Sequence, residues 1–242
     1  MSYSEKIMSK AKELATLGVE YGRESDVDDP YFEDDLYAYF CDNDGIISTG
    51  ATKVVFIFDD EDYVLKTPLF GEVYYPSIQD EYGYLERDYD AEPDFTPWTG
   101  APYSDYGDNY CESEEYLYKK AEAVGLGELF IKTEFLYMEN GRPVYISEKC
   151  HHCDLWCKSA EAPSENSLSI VEKNRKSKKD NWTSRLGLQA TAKFIDDYGL
   201  EMTERLLAFI KEYDISDLHD DNTMISNRTG KIVITDYAGF NS

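Results

Sequence analysis

Asp217-Leu218-His219-Asp220-Asp221-Asn222, followed by Gly230-Lys231-Ile232-Val233-Ile234-Thr235-Asp236-Tyr237-Ala238-Gly239-Phe240, carries the sharpest chemical signal in the chain. The first stretch reads as a loop running from Asp214 to Asn222. A short strand over Thr223–Ile225, a turn at Asn227–Gly230 and a strand over Lys231–Thr235 follow. An Asp and an Asn five apart on a loop, then a hairpin that delivers a second Asp, form a compact set of oxygen donors. The amide oxygen of Asn222 and the carboxylate of Asp236 suit Mg²⁺, a hard cation that shares its shell with phosphates. Asp217 would face an incoming hydroxyl, orient it and accept its proton as a bond to phosphorus forms.

Upstream, the pattern is strand-rich before it becomes helical. Ser4–Tyr21 carries Ile7, Met8, Ala11, Leu14, Ala15 and Val19 at helical spacing. Lys53–Phe58 and Tyr63–Thr67 are β-rich, and Asp59–Asp62 reads as the turn of a hairpin. Glu112–Val124 is helical and stops at Gly125. Phe130–Tyr137 and Arg142–Lys149 read as strands joined through Glu139-Asn140-Gly141, and Trp182–Tyr198 and Leu200–Tyr213 as helices parted at Gly199. The class is α+β, with sheet first and helices later. Residues 72–110, rich in Tyr, Pro and Gly, show no apolar periodicity and read as an irregular insertion. Ser159–Lys179 reads as a second soft region. Its end, Lys173–Lys179, has five basic residues in seven and is expected to be a solvated, mobile loop.

Asp217-Leu-His-Asp-Asp-Asn222 and Ile234-Thr-Asp236-Tyr-Ala-Gly-Phe resemble the catalytic loop and metal motif of the protein-kinase-like superfamily. The likeness is nearest to small kinase-like proteins of bacteriophages and to the aminoglycoside-phosphotransferase-like branch. The resemblance implies further parts upstream in fixed order. Tyr63-Val64-Leu65-Lys66 matches the strand whose Lys holds the α- and β-phosphates of ATP. A Lys inside an apolar strand needs a partner, and the family supplies a Glu on the next helix. Glu114 fits best, with Glu112 and Glu115 as alternatives. Ser48-Thr49-Gly50-Ala51-Thr52 stands where the phosphate loop belongs, so Gly50 and Thr52 are its nucleotide-binding candidates. Glu148-Lys149-Cys150 falls where the family's hinge meets adenine through backbone groups, which makes Glu148 and Cys150 cofactor-binding candidates.

The resemblance implies a reduced two-lobe fold. An antiparallel N-lobe sheet with one helix would sit on a truncated helical C-lobe, with ATP and Mg²⁺ between them. The corresponding segments are an N-terminal helix and acidic extension over 1–45, an N-lobe over 46–149 interrupted by the insertion, and a C-lobe over 150–242. The implied activity is phosphoryl transfer from ATP to a hydroxyl, most simply a Ser/Thr on a protein, a host protein where the enzyme is phage-encoded. Three departures bear on it. Ile215 and Ser216 replace the usual His-Arg pair, so control through a phosphorylated segment is not expected. Asp236-Tyr237-Ala238 replaces Asp-Phe-Gly. Six residues follow Asp236, where the family continues into its protein-substrate platform. The insertion or Ser159–Lys179 would replace that platform, or the acceptor is bound another way, or little transfer occurs.

Composition frames these readings. The 242 residues carry a formal charge of −25 with 42% hydrophobic and 14% aromatic residues, enough for a packed core. From Glu24 to Glu115 there are 26 acidic residues against Lys53, Lys66 and Arg87, a net −23. Such a chain should repel nucleic-acid phosphates, so no direct nucleic-acid partner is expected. Apolar runs such as Val54–Phe58 are far too short for a membrane span of roughly 20 residues. The start, MSYSEKIMSKAKEL, lacks a signal-peptide apolar region, and five Cys without framework spacing fit a reducing cytoplasm. Cys150-His151-His152-Cys153, with Cys157, invites zinc. It lacks a distant second pair, so a hinge followed by a short helix with buried thiols is the expectation. The rival to the enzyme is a catalytically weak scaffold whose acidic, Tyr-rich segment binds and inhibits a basic or DNA-binding host protein.

Overall fold

The computed structural model describes residues 3–16, 22–24, 30–31, 45–49, 53–59, 61–69, 71–92, 94–97, 109–139, 141–155, 159, 161–177, 181–182, 186–215, 218 and 222–237. It is α+β, with an antiparallel sheet and, among the described residues, five α-helices. In chain order the elements are α1 (Glu5–Thr16), β1 (Gly22–Glu24), β2 (Pro30–Tyr31), β3 (Gly45–Thr49), β4 (Lys53–Phe58), β5 (Tyr63–Pro68), β6 (Gly71–Tyr74), β7 (Ser77–Gln79), β8 (Leu85–Arg87) and β9 (Asp94–Pro97). Then come α2 (Tyr110–Ala123), a 3₁₀ turn (Gly127–Leu129), β10 (Thr133–Glu139), β11 (Arg142–Glu148), β12 (Cys150–His152), α3 (Glu165–Lys176), α4 (Leu188–Tyr198), α5 (Leu200–Glu212), β13 (Thr223–Ser226) and β14 (Ile232–Ile234). The chain forms two compact units: Met1–Cys111 with Phe135–Ile146, and Glu112–Glu134 with Ser147–Ser242.

The first unit is organised by a five-stranded sheet of order β10-β11-β5-β4-β3. Its centre follows directly from the sequence. Val54, Phe56 and Phe58 alternate along β4 and are fully buried, while Val55 and Ile57 between them are half-buried. Leu65 on β5 lies opposite Phe56, and Lys66 lies opposite Val55. Lys66 therefore stands on the face away from the Phe56–Leu65 core. The N-terminal helix α1 covers that core with Ala11, Leu14 and Ala15 and belongs to the first unit. Polar contacts pin it there: Lys6 and Lys10 both pair with Glu61 in the β4–β5 turn, and the Lys10 ammonium lies 3.7 Å from the Phe58 ring centroid.

The insertion over 72–110 is not irregular where it is described. Strand β6 pairs with β9 in register Gly71↔Pro97 to Tyr74↔Asp94, and the β7–β8 hairpin is nested between them. The hairpin turn is built by Asp80. Its Oδ1 accepts the backbone N–H groups of Tyr82 at 2.9 Å and Tyr84 at 2.6 Å, and Gly83 takes φ of +86°. Apolar periodicity failed to show this because every residue of β7, and two of three in β8, are exposed. With no buried face, there is no alternation to read.

The second unit is helical around a small three-stranded sheet, β12-β13-β14. Helix α2 ends in a Schellman arrangement: Leu126 N–H reaches Ala121 O at 2.8 Å and Gly125 N–H reaches Glu122 O at 3.0 Å, with Gly125 at φ +73°. Gly199, at φ +85°, separates α4 from α5 as the sequence predicts. Helix α4 begins later than its apolar pattern suggests. Gly187 holds its N-cap with an extended backbone, so the buried Trp182 and Leu186 precede the helix rather than form its first turns.

Two soft-region readings are corrected here. Ser159–Lys179 contains helix α3, capped by the Ser164 side chain accepting from Ser167 N–H. Its basic residues Lys173, Arg175 and Lys176 form the last turn, where cations suit the helix dipole. Arg175 is half-buried and donates to Leu186 O at 2.6 Å and to Thr191 Oγ1 at 3.3 Å, so this part of the basic run fastens α3 to α4 and the residue before it. Likewise Cys150–His152 is a strand, not the start of a short helix.

Asp196 on α4 holds the start of α3. Burial opposes its charge, but hydrogen bonds from the Ser167 hydroxyl, the Ser164 N–H and the Ser164 hydroxyl together hold its carboxyl below the usual aspartate range. That contribution is complete above an unfolded aspartate pKa of about 4 and is lost as pH falls through the lower folded value. Asp196→Ala should cost about 1 kcal/mol at neutral pH, given its partial exposure. The gap between variant and wild type, measured by urea unfolding, should close as the solution is acidified.

Candidate functional site

The site residues of the second unit are set by two aligned stretches of backbone. Phe130 makes a parallel bridge with Ile234, and Ile131 N–H donates to Ile234 O at 2.9 Å. Residues 130–133 thus run beside the end of β14 and the segment that leaves it. Just beyond, Thr235 N–H donates to Asn222 O at 2.9 Å, and the Thr235 hydroxyl reaches the same oxygen at 3.3 Å. Asn222 is thereby fastened to the residue that precedes Asp236. Asn222 is buried and Asp236 is half-buried.

Tyr237 locks this segment down. Its side chain is fully buried, its hydroxyl donates to Ile131 O at 2.6 Å, and its ring meets Phe130 edge-on at 5.1 Å. Burial first, and then the nearby Glu114 charge, push its phenol well above the ordinary tyrosine value, so it remains a neutral donor. The backbone on either side of Asp236 is therefore fixed, by Thr235 before it and Tyr237 after it.

Glu114 enters from α2. It is fully buried, and Thr133 Oγ1 donates to its Oε2 at 2.8 Å. The Thr133 hydroxyl also lies 3.0 Å from Ser147 Oγ. A hydroxyl has one proton to give. With Thr133 donating to Glu114, Ser147 is the donor in the second pair. A relay Ser147 → Thr133 → Glu114 results, all of it buried. Sequence reasoning missed Thr133 and Ser147, which carry no motif. Glu112 is exposed and Glu115 is half-buried, with an ion pair to Lys119 at 2.9 Å, so burial singles out Glu114 among the three.

The remaining predicted residues are distributed as follows. Lys66 belongs to the first unit, 5% exposed on β5. Asp217, Gly50, Thr52 and His219 lie outside the described residues. Glu148 closes β11 and uses its carboxylate to hold the β13–β14 turn, accepting from the Ser226 hydroxyl, Arg228 N–H at 3.1 Å and Arg228 Nε at 3.1 Å. Cys150 begins β12, which pairs with β13 along one side and stands at the end of its sheet. A cavity of about 400 Å³ in this unit is lined by Tyr118, Glu122, Lys132, Glu148 and Arg228 among others; Glu114, Asn222 and Asp236 are not in its wall.

Asn222 and Asp236 offer one amide and one carboxylate oxygen from adjoining backbone, a donor set that fits a hard divalent cation. Among the described residues no three His, Cys, Asp or Glu side chains gather to hold a metal. His151 Nδ1 is 2.7 Å from Asn227 Oδ1, and burial pushes the Cys153 thiol up to about 12; Cys157 lies outside the described residues. No helix is long and apolar enough, among the described residues, to cross a membrane. Compared with known proteins, the chain matches no family model and no curated protein.

The relay makes a stability prediction. Thr133→Val removes the donor to a buried carboxylate and should cost about 1–3 kcal/mol, whereas Tyr237→Phe, which removes one hydroxyl hydrogen bond, should cost about 1 kcal/mol. Ser147→Ala should cost less than Thr133→Val, because it leaves Glu114 its donor. Urea unfolding of the three variants would rank them, and equal costs for Thr133→Val and Ser147→Ala would contradict the relay.

Proposed function

We propose that the protein is a reduced protein-kinase-like phosphotransferase of two lobes that uses ATP and Mg²⁺. The observation that supports this reading is that Asn222 is tied to the residue before Asp236, while a buried Glu114 on α2 accepts from Thr133, on the segment that runs beside Ile234. Turn chemistry alone accounts for Asp and Asn in loops. It does not account for a fully buried Glu on a neighbouring helix.

In this reading Asn222 and Asp236 would hold Mg²⁺, which neutralises phosphate charge when bound. Lys66 is assigned to the α- and β-phosphates, with Glu114 as its counter-charge. Gly50 and Thr52 are assigned to the phosphate loop, and the backbone of Glu148–Cys150 to adenine. Asp217 orients the acceptor hydroxyl and takes its proton as the oxygen attacks phosphorus. The acceptor is proposed to be a Ser or Thr hydroxyl of a protein in the same cytoplasm, a host protein if the chain is phage-encoded. Catalysis of this kind is mostly positioning and electrostatics, so a fixed backbone around Asp236 is what it demands.

Two measurements test the reading. Asp217→Ala should abolish phosphate transfer from labelled ATP, autophosphorylation included, while leaving nucleotide affinity within about twofold of wild type. Asp236→Ala should instead remove the dependence of nucleotide affinity on Mg²⁺ in a calorimetric titration. Full transfer activity in Asp217→Ala would overturn its assignment, and Mg²⁺-independent nucleotide binding by the wild type would overturn the metal pair.

A further inference from the structure

The β7–β8 hairpin has no buried face. Opposed residues in an antiparallel pair share a face. The register Ile78↔Glu86 puts that pair on one side, and Gln79↔Leu85 with Ser77↔Arg87 on the other. Ile78 is 47% exposed and Leu85 75% exposed, so large apolar side chains stand in solvent on both sides. At the turn Tyr82 and Tyr84 are 79% and 71% exposed, and Tyr89 beyond the hairpin is 64% exposed. A two-stranded ribbon is marginal on its own. This one is held by the Asp80 turn, by Asp88 N–H donating to Pro76 O at 2.7 Å, and by Tyr75 and Tyr89 at 4.8 Å. The fold thus maintains an arm whose apolar and aromatic groups contribute little to any core.

The chemistry of the surroundings names the occupant. From Asp80 to Asp94 there are seven acidic residues and one basic residue, Arg87. Tyr rings beside carboxylates offer two complementary attractions to one kind of side chain: the ring face attracts a cation, and the carboxylate accepts its hydrogen bonds. Arg and Lys also lay their methylene stems along apolar groups such as Ile78 and Leu85. Phosphate backbones are repelled by the same array.

We propose that this arm docks a Lys/Arg-rich segment of another protein, its cations seated between the exposed tyrosines and the flanking carboxylates. The surface is independent of the phosphotransferase reading, since it uses none of the residues assigned there. For a protein acceptor it would supply substrate capture; without turnover it would supply binding alone.

The test uses the full chain and a short, unstructured arginine–serine peptide, with a glutamate–serine peptide of the same length as control. Fluorescence anisotropy should show binding of the arginine peptide alone, weakening as salt rises. Tyr82→Ser combined with Tyr84→Ser leaves the net charge unchanged and should weaken binding roughly tenfold. Should that variant melt at a lower temperature than wild type, Leu85→Ser reports in its place, with an expected loss of about threefold. Wild-type affinity in a folded variant would overturn the proposal, since diffuse charge attraction would then suffice. So would failure of the wild type to bind the arginine peptide. Sedimentation showing that the wild-type chain self-associates while the tyrosine variant does not would overturn it too, by making a second copy the occupant.

Discussion

The alignment of residues 130–133 with residues 234–237 is the constraint on which the second unit depends. It is short: one parallel bridge, one N–H from Ile131 to Ile234, and one phenol from Tyr237 to Ile131. Yet it joins three parts of the chain that are distant in sequence. Helix α2 reaches it through Glu114 and Thr133, the β13–β14 hairpin ends in it, and Asn222 is tied to it through Thr235. The surrounding core, including Leu126, Leu129, Phe130, Phe209 and Tyr237, keeps water away from these bonds. In such a setting each hydrogen bond is electrostatically stronger and each missing partner costs more. That asymmetry makes the backbone near Asp236 hard to displace.

The fold was legible in the sequence where a buried face imposed a period. The β4–β5 hairpin, α2 with its Gly125 stop, α5 and the β13–β14 hairpin all lie close to where alternation, helical spacing or turn residues place them. It was illegible where burial did not operate. The β7–β8 hairpin of the insertion hides no face, so its Tyr and acidic residues carry no rhythm. Helix α3 buries only Ser167 and Val171, and its polar, basic character reads as loop until Ser164 is recognised as its cap. Helix α4 shows the opposite error: Trp182 and Leu186 are buried as its pattern suggests, but Gly187 starts the helix after them.

For the site, motif spacing put forward Asn222, Asp236 and Glu114, the last with Glu112 and Glu115 as alternatives; the structure ties Asn222 to the residue before Asp236 and buries Glu114 against Thr133. Thr133 and Ser147 were invisible because a hydroxyl on a strand has no distinguishing pattern; only the burial of Glu114 creates the need for them. Tyr237 follows Asp236 directly, and its hydroxyl adds a backbone tie that a Phe there could not make.

A buried carboxylate is a demanding element to retain. Replacing such a group by an apolar residue of similar size is often neutral or stabilising. A Glu at position 114 with a Thr and a Ser arranged to serve it therefore adds little to stability that a Leu would not. What the Thr133 hydroxyl gives Glu114 is a directed bond: it ties α2 to residue 133, at the end of the segment that runs beside Ile234, while Ser147 Oγ stands 3.0 Å from the same hydroxyl. A Leu would fill the space without making that tie, so polar bonding rather than volume joins α2 to this part of the second unit.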